Sequence, residues 1–480
     1  MRILESKPPS DSFRDECGLI GLINVPEAAN LAYLGLYAQQ HRGQEGAGVV
    51  SHDTVDGDPH FFVHKGLGLV TDVFQRFDFS RLPGSLAVGH VRYTTAGGNR
   101  LANVQPFFAD TTLGGLALAH NGNLVNTDTL RGELMQEGAI FATTSDTEIF
   151  IHLLARAPKS NARIESVISS LQRVKGAYSL VIIFEDRLMA VRDPNGFRPL
   201  ALGRIGDGYV VASETCAFDL IGATYERDVE PGEIVEIARD GSVKSYHPFG
   251  YRKPSPCVFE YVYFARPDSN VFGKNVYALR KNMGAELARE SGVSADLVIP
   301  VPDSGVTAAL GYAQEAQIPV ELGLIRNHYV GRTFIEPKQS IRDFGVKIKL
   351  NANPDILRGK RLVVVDDSIV RGTTSRKLVQ MLRASGASEV HMRISSPPTT
   401  DPCYYGIDTP EKESLIAAHK STDEIASYLG VDSLAYLSMD GLYRAVGSER
   451  GTFCDACFSG VYPIGTSDQG ERQQQKLFDV

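Results

Sequence analysis

Residues 361–375 read RLVVVDDSIVRGTTS, and this stretch sets the architecture of the second half of the chain. Leu362 to Val365 form an apolar strand that delivers two adjacent carboxylates, Asp366 and Asp367, to a short loop. The loop carries Gly372 and the hydroxyls of Ser368, Thr373 and Thr374, and it leads into a helix predicted from about 374 to 385. On that helix Leu378, Met381 and Leu382 share one face, and Gly386 supplies the stop. Free N–H groups at a helix start favour an anion, so the loop is built to hold a phosphate. The two acids just before it are placed to take the hydroxyl pair of a sugar attached to that phosphate. This is not a P-loop nucleotide site, because the G-x-x-x-x-G-K-[ST] pattern is absent.

The flanking sequence has the same texture. ADLVIPVPDSG (295–305) precedes a helix predicted near 305–315, and IPVELGLI (318–325) and EVHMRISSP (389–397) supply further apolar strands. Strands alternating with helices predict a parallel sheet with helices on its faces. The first half differs. SLAVGHVRY (85–93), LGGLALAHNGNLV (113–125), GAYSLVIIFEDRLMAVRD (176–193) and YVVASET (209–215) are short apolar or alternating runs bounded by Gly, Asn and Asp. They predict a sheet-dominated region with amphipathic helices near 27–40 and 146–157 and a hairpin turn at Asp240-Gly241. The boundary falls at about residue 250, near Pro254 and Pro256, and a polar tail begins at about 466.

Composition limits the function. A chain of 480 residues with 43% hydrophobic content is long enough for several packed domains. A net charge of −8 argues against a generalised nucleic-acid or anionic-membrane binder, since either needs a positive contact surface. No stretch approaches the ~20 apolar residues of a membrane span, and a cytoplasmic location is expected. Six cysteines are too few for a disulfide scaffold, which shifts the expectation to catalysis or metal binding.

The segment 361–375 resembles the phosphoribosyl pyrophosphate (PRPP) signature of type I phosphoribosyltransferases. That resemblance implies PRPP contacts from Asp366, Asp367, Ser368, Arg371, Gly372, Thr373 and Thr374, and from Asp303 in the second loop, VIPVPDSG (298–305). It also implies Mg²⁺ held by Ser304, Asp366 and Asp367, because a diphosphate needs charge neutralisation to leave. Between the loops lies the basic stretch RNHYVGRTFIEPKQSIRDFGVKIKLN (326–351). A loop of that length in a compact domain is functional or disordered. The resemblance implies a lid over PRPP, with Arg332, Lys338 and Lys349 as phosphate contacts.

The N-terminal half resembles the glutaminase domain of N-terminal-nucleophile amidotransferases. The resemblance implies removal of residues 1–16, so that Cys17, which opens the apolar run CGLIGLI (17–23), becomes the first residue. Its own α-amine, with a reference pKa of ~8, then serves as base for its thiol. GHVRYTT carries Arg92, matched to the partner of the glutamine carboxylate, and HNGNL supplies Asn121 and Gly122 as the oxyanion hole. TSDTE supplies Asp146 for the glutamine ammonium group, and QQHRGQEGAG (39–48) also matches. Taken singly, each has a plainer reading: Cys17 a buried hydrophobe, Arg92 a surface pair, Asn121-Gly122 a hairpin turn and Asp146 a helix cap.

Cys454 and Cys457 form C-x-x-C, while Cys257 and Cys403 stand alone. Spacing leaves open a four-thiolate zinc site, an iron–sulfur cluster, a redox dithiol or buried thiols; Cys216 reads as core. The whole chain from Cys17 to about Pro463 resembles the glutamine PRPP amidotransferase family. All four cysteines match the branch that holds a 4Fe-4S cluster, read as structural or oxygen-sensing. The implied architecture is mixed α/β and α+β. It comprises a propeptide (1–16), an αββα-sandwich Ntn-hydrolase glutaminase domain (17–250), a phosphoribosyltransferase domain with a helix-flanked parallel sheet (251–465) and a polar tail (466–480). The implied activity converts glutamine, PRPP and water into 5-phosphoribosylamine, glutamate and pyrophosphate, the opening step of de novo purine synthesis. Feedback by purine nucleotides, a homotetramer or homodimer, and no nucleic-acid or membrane partner complete the expectation. The alternative is a non-catalytic PRPP- or nucleotide-sensing regulator on the same folds.

Overall fold

The computed structural model describes residues 17–93, 100–158, 163–327 and 350–466. The predicted leader and the predicted lid contacts Arg332, Lys338 and Lys349 lie outside the described residues.

The N-terminal half is an αββα sandwich. Gly18–Ile23 lies at the middle of a seven-stranded antiparallel sheet, between Gly208–Ala212 and Leu86–Arg92. Its apolar run lacks polar alternation because both faces are buried: Leu19 and Ile23 meet the second sheet, while Ile20 and Leu22 meet the layer containing helix Ala28–Ala38. The second sheet has six antiparallel strands, with Gly114–Leu124 and Gly176–Phe184 paired near one end. Its outer face carries helices Thr127–Gln136, Thr147–Arg156 and Arg163–Leu171.

Gly21 faces the second sheet and leaves no room for a side chain. A Cβ there would stand 2.5 Å from Val181 Cγ1 and 2.9 Å from Leu188 Cδ1. Gly21→Ala is expected to cost about 1–3 kcal/mol through overpacking. A denaturant titration would show a lowered unfolding midpoint; an unchanged midpoint would mean that the layers separate freely here.

The C-terminal half contains a four-stranded parallel sheet in chain order: Leu297–Pro300, Arg361–Asp366, Glu389–Ile394 and Ser433–Tyr436. Val363 and Val365 face a core that includes helices Val276–Ser291, Val306–Ala316 and Met439–Val446. Leu362 and Val364 face Leu378, Val379 and Leu382 of helix Thr373–Ala384. Gly386, at φ +93°, ends that helix as expected. The predicted strand 318–325 is not one strand. Only Val320 bridges Val298, and Leu324–Arg326 instead pairs antiparallel with Leu350–Ala352. Pro319 has no N–H to extend the ladder.

Residues 247–256 carry no helix or strand, and the two halves nevertheless share a packed interface. Val125, Ala177 and Phe197 of the first half form one apolar cluster with Tyr405, Cys454 and Ala456 of the second.

Candidate active site

Cys17, Arg92, Gly122 and Asp146 line one small cavity together with Gln105, His120 and Thr147. Cys17 is buried just ahead of the central strand of the first sheet, with its thiol 3.6 Å from the Tyr93 carbonyl. Arg92 ends strand Leu86–Arg92 and is 4% exposed, so the surface-pair reading fails. Asn121 and Gly122 are no hairpin turn. They lie within strand Gly114–Leu124, opposite Ser179 and Tyr178. Asn121 Nδ2 donates to Ser213 Oγ at 3.5 Å, and the same hydroxyl accepts from Leu19 N at 3.2 Å.

Asp146 stands at the start of helix Thr147–Arg156 but makes no capping hydrogen bond with its side chain. Its carboxylate instead accepts from Leu124 N at 3.1 Å and lies 3.7 Å from His120 Nδ1. Burial alone would raise its pKa; His120 and the neighbouring donors outweigh it and hold the carboxyl below its usual range. A group held anionic in this way is suited to an ammonium ligand. His120 is itself held, its main-chain N–H donating to Gln105 Oε1 at 2.7 Å and its ring Nδ1 lying 3.1 Å from Thr147 Oγ1.

The main chain of Cys17 is braced by a buried charge cluster. Arg42 Nε donates to the Cys17 carbonyl at 3.1 Å, and its guanidinium pairs with Glu214 at 2.5 Å and Glu260 at 2.8 Å. All three side chains are fully buried. Removing Arg42 would leave two buried carboxylates to His41 and Arg198 beside them, which makes the cluster a rigid anchor.

In the second half, Asp366 ends its strand and Asp367 follows it. Ser304 Oγ lies 3.3 Å from Asp366 Oδ1, so the two predicted loops converge at the C-terminal ends of adjacent strands. Ser368 Oγ donates to Asp367 Oδ1. Burial, and then the charge of Asp367, push the Asp366 carboxyl well above its usual range; burial also raises Asp367. Two such acids side by side, Asp367 buried and Asp366 half-buried, are set up to gain from a cation or from hydroxyl donors. Ile369 and Val370 turn into the core and pin the loop, while Thr373 and Thr374 stay exposed at the helix start. Gly372 adopts φ +75°, which a side chain disfavours. Arg371 Nε is buried with no hydrogen-bond partner among the described residues. Asp303 is partly exposed and paired with Arg326.

Cys257, Cys403, Cys454 and Cys457 line a single enclosed cavity with Phe197, Tyr405 and Ile407. Tyr405 N donates to Cys403 Sγ at 3.3 Å. Burial raises the Cys454 thiol to about 12 and raises Cys457 strongly as well. Among the described residues no three His, Cys, Asp or Glu side chains converge on the position of a single metal ion.

Residues 92–219 match a family described as glutamine amidotransferase domain. Amidophosphoribosyltransferase 1, chloroplastic, of Arabidopsis thaliana is 54% identical over 94% of this chain and 79% of its own length. The amidophosphoribosyltransferase of Bacillus subtilis (strain 168) is 51% identical over 94% of both chains. The chain belongs to the amidophosphoribosyltransferase family. A solved structure of glutamine PRPP amidotransferase from B. subtilis, complexed with ADP and GMP, superposes with a TM-score of 0.89. It is 49% identical and covers 94% of this chain and 98% of that one.

Several residues that shape the candidate sites of this amidophosphoribosyltransferase-family chain carried no local signal. Arg42 sits within the matched stretch 39–48, but its partners Glu214 and Glu260 are 172 and 218 residues away. His120 could have been suspected only from HNGNL, and Gln105 lies in no predicted element.

Proposed function

We propose that this chain is a two-site amidophosphoribosyltransferase, converting glutamine, PRPP and water into 5-phosphoribosylamine, glutamate and pyrophosphate. The observation that carries the reading is the single cavity shared by Cys17, Arg92, Gly122 and Asp146, in a chain that also sets two adjacent acids beside a helix-start loop.

At the first site the Cys17 thiolate forms a bond to the glutamine amide carbon, and the carbonyl π pair moves to oxygen. Asn121 Nδ2 and Gly122 N–H hold that oxyanion, while Arg92 and Asp146 grip the α-carboxylate and α-ammonium. The oxyanion collapses, the C–N bond breaks and ammonia leaves with the proton first taken from the thiol by the α-amine. Water then cleaves the thioester, returning the thiol and glutamate. At the second site the ammonia lone pair forms the C–N bond to the anomeric carbon of PRPP. The C–O bond to pyrophosphate breaks with its electron pair, and the new amine loses one proton. Asp366 and Asp367 orient the ribose hydroxyls, and the loop from Ser368 to Thr374 with Arg371 holds the 5-phosphate. Asp303 is assigned to the pyrophosphate loop. Bound Mg²⁺, with Ser304, Asp366 and Asp367 as holders, would neutralise the departing diphosphate. The test is glutamine-dependent pyrophosphate release by purified protein with PRPP and Mg²⁺; tight PRPP binding without release would favour the regulator instead.

We further propose a 4Fe-4S cluster on Cys257, Cys403, Cys454 and Cys457. Four thiols around one enclosed cavity supply the all-thiolate donor set that such a cluster uses. The Tyr405 amide on Cys403 Sγ is the kind of donor that stabilises cluster thiolates. Such a cluster would cross-link segments far apart in sequence. Cys454→Ser is expected to abolish the brown visible absorption of anaerobically purified protein and to lower its solubility. An unchanged spectrum removes the cluster.

The leader reading predicts a purified chain that begins at Cys17. Intact mass and N-terminal sequencing check it; a mature, active chain beginning at Met1 would leave Cys17 without its amine base. Residues 17–250 and 251–465 are taken as the two domains. Purine nucleotides are proposed as feedback ligands by analogy with the B. subtilis complex, and a homodimer or homotetramer is proposed as the assembly. No described helix is long and apolar enough to cross a membrane. A cysteine nucleophile and four cluster thiolates need a reducing compartment, and we place the enzyme in the cytoplasm, although the Arabidopsis relative is named chloroplastic.

A further inference from the structure

We propose that Gly406, in the second domain, is a positioning residue for the oxyanion side of the glutamine site. Gly406 adopts φ +112°, and a Cβ on it would stand 3.1 Å from both Cα and the carbonyl carbon of Gly122. The loop containing Cys403 to Gly406 therefore lies backbone against backbone on the residue whose N–H is assigned to the oxyanion. On its other side Gly122, at φ +147°, is closed in by strand Gly176–Phe184: a Cβ on Gly122 would meet the Ala177 carbonyl oxygen at 2.0 Å. The Gly122 peptide is thus clamped between its own sheet and a loop of the other domain.

The loop is itself fixed to the first domain at three points. Asn123 Nδ2 donates to the Tyr404 carbonyl at 3.0 Å, Arg198 Nε donates to the Tyr405 carbonyl at 2.9 Å, and the Tyr405 ring stacks on Phe197 with centroids 4.4 Å apart. Every atom that a Cβ on Gly406 would crowd at Gly122 is backbone, so no side-chain rotation can relieve it. The added methyl must move either the loop or the Gly122 peptide, and the three anchors resist the first. Displacing Gly122 Cα carries with it the N–H borne on the same residue, and that N–H matters only once negative charge has developed on the amide oxygen.

This inference rests on the assignment of Asn121 and Gly122 as oxyanion donors, and the test separates the two. The full-length enzyme is assayed with PRPP and Mg²⁺ for glutamine kcat and KM, for inhibition by glutamate, and for the rate of Cys17 alkylation by iodoacetamide, read on the Cys17 peptide by mass spectrometry. Alkylation displaces iodide and builds no oxyanion. For Gly406→Ala we expect kcat to fall about 10- to 100-fold while KM, glutamate inhibition and alkylation rate stay within about twofold. Unchanged kcat, or a parallel loss of all four, overturns the proposal. Should Gly406→Ala fail to fold, Asn123→Ala releases one anchor and is expected to show the same split with a smaller drop; no drop there is equally decisive. A wild-type Cys17 that glutamine does not protect from iodoacetamide removes the glutamine-site reading itself, and this inference with it.

Discussion

Cys17→Ala is expected to abolish glutamine-dependent synthesis, by about 10³-fold or more, while leaving synthesis from added ammonia near the wild-type rate. The size follows from Cys17 being the one thiol that lines the cavity, where the hydroxyls of Ser145 and Thr147 already accept hydrogen bonds from Thr147 N and Gln105 Nε2. The selectivity follows from the architecture, because the site proposed to use ammonia lies on a different sheet with its own core. Replacing a small buried thiol by methyl leaves the Arg42 bond intact, since that bond goes to the main-chain carbonyl. Parallel rate measurements with glutamine and with ammonium salts check it. Retained glutamine activity would refute Cys17 as nucleophile, and equal loss of both activities would mean that the residue serves the fold.

Asp366→Asn is expected to cripple both activities together, by about 10²-fold or more, because an amide takes a ribose hydroxyl or a cation less well than a carboxylate does. Its carboxylate sits at the strand end beside Ser304 and Asp367, so the lesion falls on PRPP and spares the glutamine cavity. Alkylation of Cys17 should therefore proceed at the wild-type rate. A normal ammonia-supported rate would detach Asp366 from PRPP.

How far the molecule can be read from its sequence depends on the range of the interaction. The strand–loop–helix fold of the proposed phosphate loop was legible: a strand buried on both faces, adjacent acids and a glycine at positive φ all lie within fifteen consecutive positions, 361–375. The helix it introduces starts at Thr373, one residue before the expected 374. Strand 318–325 was misread because its apolar content outweighed the missing N–H of Pro319 and the bend that follows. For the glutamine cavity, residue types and local context pointed to dull roles, and the resemblance alone assembled them. Asn121-Gly122 has the composition of a turn, yet it pairs in register across Gly176–Phe184. Asp146 occupies a cap position without capping, because His120 and the Leu124 N–H compete for its carboxylate. The Arg42, Glu214 and Glu260 cluster and the approach of Gly406 to Gly122 join residues hundreds of positions apart, and no periodicity records such contacts.

The most direct test of a two-site enzyme is to supply amide-¹⁵N glutamine, PRPP and Mg²⁺ and to follow the label in the trapped product amine together with pyrophosphate and glutamate. Our account predicts ¹⁵N-labelled phosphoribosylamine with pyrophosphate released in step with its formation. Glutamine left intact while PRPP binds without releasing pyrophosphate would contradict it and make the protein a sensor.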